Sequence, residues 1–198
     1  MTRLAHGLEL GAAEAPAADD KTSDKAIDLT WGLSIPMRDG VTLNGTLYKP
    51  QGDDATPVIF TLTPYMADSY HDRAVYFAKR GYAFVLVDCR GRGNSAGEFE
   101  PFASEARDGH DIVVWLEQQP WCSGAVAMWG GSYAGYNQWL TARECPAALK
   151  TIAPAAAAYA AVDFPFNNNI FYPYEMQWLT LVSGVTPNQS LFGEMSWW

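Results

Sequence analysis

Three short runs in this chain are apolar on both faces: Val58-Ile59-Phe60, Ala83-Phe84-Val85-Leu86-Val87 and Ala125-Val126-Ala127-Met128-Trp129. A strand with no polar face must be covered on both sides, which is the situation of a parallel sheet between layers of helix. The intervening segments supply the covers. Tyr70, Ala74, Phe77 and Ala78 recur at helical spacing and stop at Gly81. Ile112, Trp115 and Leu116 repeat that spacing in a segment whose first turns carry Glu105 and Asp108, where acids suit the positive end of a helix dipole. Strand alternating with helix predicts right-handed crossovers and a doubly wound, mostly parallel α/β sheet. Thr151-Ile152-Ala153 is a further candidate strand.

The residues before the first of these runs follow a different pattern. From Ile27 the chain alternates strictly, which predicts Ile27, Leu29, Trp31, Leu33 and Ile35 on one face of a half-buried strand. Asp39-Gly40 supplies a turn and Val41, Leu43 and Leu47 resume the alternation, so an N-terminal antiparallel hairpin is expected. Residues 1–25 are rich in Ala, Pro, Asp and Lys, too poor in large apolar side chains to offset ordering entropy, and read as a flexible arm. Residues 26–160 carry the α/β pattern. The segment 161–198 is aromatic-rich, with Phe164, Phe166, Phe171, Tyr172, Tyr174, Trp178, Phe192, Trp197 and Trp198. Beyond the alanine run at 155–158 there is no low-complexity tract and no internal repeat.

Charge narrows the partners. Thirteen basic residues against twenty-two acidic ones give a formal charge of −9, which repels phosphate backbones and anionic lipid surfaces. Nucleic acid and membranes are therefore not expected as partners, and no apolar run approaches the length that a bilayer requires. Cys89, Cys122 and Cys145 are odd in number and lack metal-ligand spacing, so they read as reduced thiols and suggest a cytoplasmic location.

The chemistry is concentrated in Trp129-Gly130-Gly131-Ser132-Tyr133-Ala134-Gly135, which follows an apolar strand directly and precedes a helical segment, Tyr136 to Arg143. Strand, sharp turn, serine and helix in that order are the context of a nucleophile elbow. Small neighbours are needed because the turn strains the serine backbone; Gly130 fills the first small position and Ala134 the second. Asp88 to Gly97 could instead be taken as a phosphate-cradling loop. However, the spacing of Gly91, Gly93 and Gly97 misses Gly-x-Gly-x-x-Gly by one residue, and Glu98-Phe99-Glu100-Pro101 does not open a helix. Asp88 and Arg90 are expected to brace that loop.

The pattern Gly-x-Ser-Tyr-x-Gly resembles the elbow of the X-Pro dipeptidyl-peptidase and cocaine-esterase-like serine hydrolases. Two further segments resemble the same family. Thr63-Pro64-Tyr65 matches its Thr-Pro-Tyr, and the run Asp88 to Phe99 matches its Asp-x-Arg-Gly-x-Gly-x-Ser-x-Gly-x-Phe. The resemblance implies an α/β-hydrolase fold and cleavage of an ester, amide or X-Pro peptide bond through an acyl-enzyme on Ser132. It further implies an oxyanion hole made by the backbone N–H of Tyr133 and the hydroxyl of Tyr65, a small-molecule substrate, and no metal or organic cofactor.

Such enzymes take their acid and then their histidine from residues after the serine. No histidine follows Ser132; the three present are His6, His71 and His110. The later acids, Glu144, Asp163, Glu175 and Glu194, match no expected triad position. The sequence therefore reads as the front part of such a hydrolase, truncated before the last strands. Residues 161–198 read as the start of a helical cap, and turnover by this chain alone is expected to be slight. The competing reading is an α/β-hydrolase fold kept as a non-catalytic binding module.

Overall fold

The computed structural model describes residues 26–160, 162, 164 and 166–187. The expected N-terminal arm, Asp163, Glu194 and the last aromatic residues lie outside them. The chain begins with β1 (Ile27–Pro36) and β2 (Thr42–Pro50), paired antiparallel across the Asp39-Gly40 turn as expected. β3 (Thr56–Thr63) leads through a 3-10 turn at Ala67–Tyr70 into α1 (His71–Ala78) and then β4 (Ala83–Asp88). α2 (Glu105–Glu117), β5 (Cys122–Gly131), α3 (Tyr133–Arg143) and β6 (Leu149–Ala155) follow. A small hairpin, β7 (Phe166–Asn167) and β8 (Ile170–Phe171), precedes α4 (Pro173–Leu181), which starts with a proline at a position where the missing N–H costs nothing.

The six-stranded sheet runs β1-β2-β4-β3-β5-β6; β4, β3, β5 and β6 are mutually parallel, while β2 meets β4 antiparallel. This is the doubly wound arrangement that the two-faced apolar runs require. On β4 all residues are buried, with Val85 and Val87 turned to one layer and Phe84 and Leu86 to the other. The first layer is completed by Ile112, Val113 and Leu116 of α2 and by Tyr133, the second by Ala74 and Ala78 of α1. At about 1.5–3 kcal/mol per buried Leu-, Val- or Phe-sized side chain, these two cores fix the sheet's position between its helices.

Two local expectations need correction. β1 does not bury one continuous apolar face: Ile35 is fully buried and Leu33 half-buried, but Leu29 and Trp31 are exposed. The register shifts between Thr30 and Leu33, where Gly32 takes φ 72°. A bulge at an edge strand turns the strand and its side chains out of step with the core. α3 also begins at Tyr133, three residues earlier than the sequence pattern suggests. The elbow serine itself serves as its N-cap.

Parallel strands place their carboxyl ends at one edge of the sheet, where open α/β sheets hold their sites. Here β3 delivers Tyr65, β5 delivers Ser132, and β6 delivers the alanines at 156–158 to that edge.

Candidate active site

Ser132 stands between β5 and α3 with φ 55° and ψ −121°, a conformation that a residue with a β-carbon adopts at a cost of about 1–3 kcal/mol. Its neighbours must be small for the turn to close. A β-carbon on Gly130 would come 2.7 Å from Cβ of Ala134, and one on Gly135 would come 3.0 Å from the Ala155 carbonyl oxygen. The turn is locked from three sides. Ser132 N–H donates to Ala155 O at 2.9 Å, and Gly135 N–H and Tyr136 N–H donate back to Ser132 O at 2.9 and 3.0 Å. Gln138, fully buried, donates to the carbonyls of Gly130 and Ala134 at 3.0 and 2.8 Å and accepts Ala153 N–H at 2.8 Å, tying together both arms of the elbow and β6.

Ser132 opens into a cavity of about 280 Å³ lined by Tyr65, Phe102, Tyr133, Ala156, Ala157, Ala158, Phe164, Tyr174, Glu175 and Trp178. Tyr65 shares a hydrogen bond with Ser132. Its hydroxyl oxygen accepts from Trp178 Nε1–H at 2.8 Å. An indole N–H can only donate, so the phenolic proton of Tyr65 is left to point away from Trp178. Burial pushes the Tyr65 phenol above its ordinary value, offset by the bonds from Trp178 and Ser132, which keeps it neutral and able to donate.

Tyr133 divides its two ends between different tasks. Its N–H is the first of α3 and has no acceptor four residues back within the helix. Its ring is buried and stacked on Trp178, with centroids 5.8 Å apart and planes at 16°, while its hydroxyl donates to Glu105 and accepts Phe102 N–H at 2.7 Å. Burial, followed by the Glu105 charge, drives the Tyr133 phenol far above its ordinary value. The side chain is thus a buried structural post in the wall of the cavity.

The described histidines are engaged elsewhere. His71 Nδ1 meets Tyr48 Oη at 2.9 Å, and His110 Nδ1 accepts from Arg38 at 3.0 Å beside the Arg38–Asp111 ion pair. Neither lines the serine cavity. Of the later acids, Glu175 reaches the cavity from α4, whereas Glu144 caps the far end of α3 near Arg143. Arg90 braces the β4–α2 loop as expected, bidentate to Asp108 at 2.6 and 3.1 Å and bound to Asp39 at 2.8 Å. Asp88 accepts Ala67 N–H at 2.7 Å, and no helix follows the glycines of that loop before Glu105.

Sequence reasoning missed Trp178, Phe102, Gln138 and Glu105 as parts of this site. Trp178 and Phe102 carried no motif. Gln138 could have been noticed as a long amide in the helix that opens from the serine, and Glu105 was read only as a first-turn acid.

Comparison with known proteins bears on the family and the fold. Residues 39–192 match the family described as X-Pro dipeptidyl-peptidase (S15 family). The chain is 39% identical over 134 residues to a cocaine esterase of Rhodococcus sp. (strain MB1 Bresler), covering 64% of this chain and 23% of that protein. It is 31% identical over 140 residues to dipeptidyl aminopeptidase BIII of Pseudoxanthomonas mexicana, covering 61% of this chain and 20% of the relative. The chain therefore spans about a quarter or less of the length of these two relatives. Among solved structures, an alpha-amino acid ester hydrolase superposes with a TM-score of 0.73 over 94% of this chain and 34% of its own, at 24% identity, a likeness of fold. A doubly wound sheet with an antiparallel start, a strained serine at its carboxyl edge and a family match over most of the chain lead to one conclusion: this chain belongs to the X-Pro dipeptidyl-peptidase (S15) family and has the α/β-hydrolase fold.

Proposed function

We propose that this chain carries the nucleophile of a serine hydrolase that cleaves an ester or amide bond of a small molecule or peptide through an acyl-enzyme. The observation that carries the reading is the strained Ser132 opening into a cavity that it shares with the hydrogen-bonded phenol of Tyr65. In the proposed step Ser132 Oγ bonds to the carbonyl carbon while its proton passes to a base. The carbonyl π pair moves onto oxygen, where Tyr133 N–H and Tyr65 O–H donate to it. Collapse re-forms the carbonyl and expels the alcohol or amine, which takes up the proton. Water then releases the acid by the same path. None of these steps needs a metal or organic cofactor.

A serine hydroxyl is a poor nucleophile without a base. With His71 and His110 committed elsewhere, the 198-residue chain alone is proposed to have little or no turnover, since removing the Ser-His partnership costs roughly 10³–10⁶ in rate. In the same reading residues 26–160 form the hydrolase core and 161–198 begin a cap over the cavity, supported by α4 contributing Tyr174, Glu175 and Trp178 to its wall. A cytoplasmic setting is part of the proposal, supported by Cys89, Cys122 and Cys145 all being free thiols.

The test is intact-mass analysis after exposure to excess p-nitrophenyl acetate. Slow, stoichiometric acetylation at Ser132, absent in Ser132→Ala and slowed in Tyr65→Phe, is the expected result. No adduct at Ser132 would overturn the nucleophile assignment, and saturable multiple turnover would overturn the claim that a base is lacking.

A further inference from the structure

Arg92 is fully buried, yet no carboxylate among the described residues lies within ion-pair distance of it. Its guanidinium is spent on backbone. Nε donates to Pro64 O at 2.8 Å and Nη1 to Val182 O at 2.7 Å, while Cζ lies 5.5 Å from the Phe99 ring centre. Nη2 is buried with no partner among the described residues. Holding a cation in such a place is costly, so the two carbonyls it selects are informative. Pro64 immediately precedes Tyr65. Val182 is the C-cap of α4, where carbonyls lack intrahelical donors and the helix dipole favours a cation. Next to it, Gly93 N–H donates to Val185 O at 2.8 Å, a second tie from the same loop to the same segment.

The two ends of the arrangement close on one another. α4 carries Trp178, whose indole donates to Tyr65 Oη at 2.8 Å, and Arg92 joins the main chain beside Tyr65 to the end of that same helix. A tyrosine hydroxyl held only by its own side chain can rotate; one held through both its side chain and the preceding carbonyl against a single helix has a fixed position relative to Ser132. We propose that Arg92 is a positioning residue, a strut from the end of α4 to the Pro64 carbonyl that keeps the Trp178–Tyr65 hydrogen bond formed and so fixes the oxyanion-binding hydroxyl. This rests on the proposed role of Tyr65, and it makes α4 part of the catalytic geometry as well as of the cavity wall.

The test reads the Trp178 Nε1–H resonance by ¹⁵N NMR in the whole chain, identified by its loss in Trp178→Phe. In Arg92→Met the indole proton is expected to exchange with solvent at least tenfold faster while the amides of β4 keep their protection; Arg92→Lys, which retains one donor, should recover part of the loss. An unchanged indole in Arg92→Met overturns the proposal. Equal loss at the indole and at β4 also overturns it, because the arginine would then simply hold the fold. Failure of the Tyr65 assignment has a separate signature, unaltered Ser132 acetylation in Tyr65→Phe, and leaves the indole readout intact.

Discussion

The amide of Ser132 donates to the carbonyl of Ala155 at 2.9 Å, so the strained tip of the elbow is held by the neighbouring strand β6 as well as by its own helix. This explains how φ 55° persists at a residue with a side chain: the surrounding bonds over-determine it. The alanines at the end of β6 and just after it pack closely on the elbow: a β-carbon on Gly131 would lie 3.8 Å from Cβ of Ala155, and one on Gly135 would lie 3.1 Å from Cβ of Ala157.

Removing the β-carbon at this position should relieve the strain that removing only the hydroxyl leaves in place. Ser132→Gly is expected to be more stable than Ser132→Ala by about 1 kcal/mol, the strain of about 1–3 kcal/mol less the entropic cost of glycine, about 0.5–1 kcal/mol. Urea unfolding of the two variants with equal m-values measures this. An alanine variant more stable than the glycine variant by about 0.5–1 kcal/mol would show that the backbone there is unstrained.

Gly109 in α2 faces Thr141 in α3, where an added β-carbon would lie 1.9 Å from Oγ1 and 3.0 Å from Cβ of a fully buried threonine. Alanine favours a helix over glycine by about 1 kcal/mol, but overpacking costs about 1–3 kcal/mol or more. Gly109→Ala should therefore destabilise by about 1–2 kcal/mol. Combining it with Thr141→Ala should recover most of the loss, since Thr141 Oγ1 has no hydrogen-bond partner among the described residues. Additive losses in the double variant would count against a contact between α2 and α3 at this point.

Burial raises the Glu105 carboxyl above its ordinary value of 4.5, against the opposing hydrogen bond from Tyr133. A group raised in the folded state contributes stability that is present below its unfolded value and is lost as pH rises through its folded value. Glu105→Gln stays neutral throughout and still offers an oxygen to Tyr133. The two proteins should differ least near pH 4, and the variant should gain on the wild type as the buffer is taken towards pH 8. Parallel urea midpoints across that range would show that Glu105 ionises in the fold without penalty.

Much of the sheet was legible because each strand states its own covering. Val58-Ile59-Phe60 and Ala83 to Val87 have no polar side, and both are covered on both sides. The edge strand was misread where burial is not a local property: alternation from Ile27 to Ile35 says that a strand forms, but the bulge at Gly32 decides which residues reach the core. α3 starts before Tyr136 because the turn at Ser132 commits Tyr133, Ala134 and Gly135, residues of the elbow motif, to the helix.

The sequence by itself determined the class of sheet, the position of the elbow serine and the family, because these depend on short patterns in which each residue constrains its near neighbours. Tertiary structure alone decided what surrounds that serine. The Trp178–Tyr65 bond spans 113 residues, and the Arg92–Val182 bond spans 90. Such pairings have no local signature, because chain folding, and not spacing, brings a loop after β4, a turn after β3 and a helix after β8 to the same edge of the sheet.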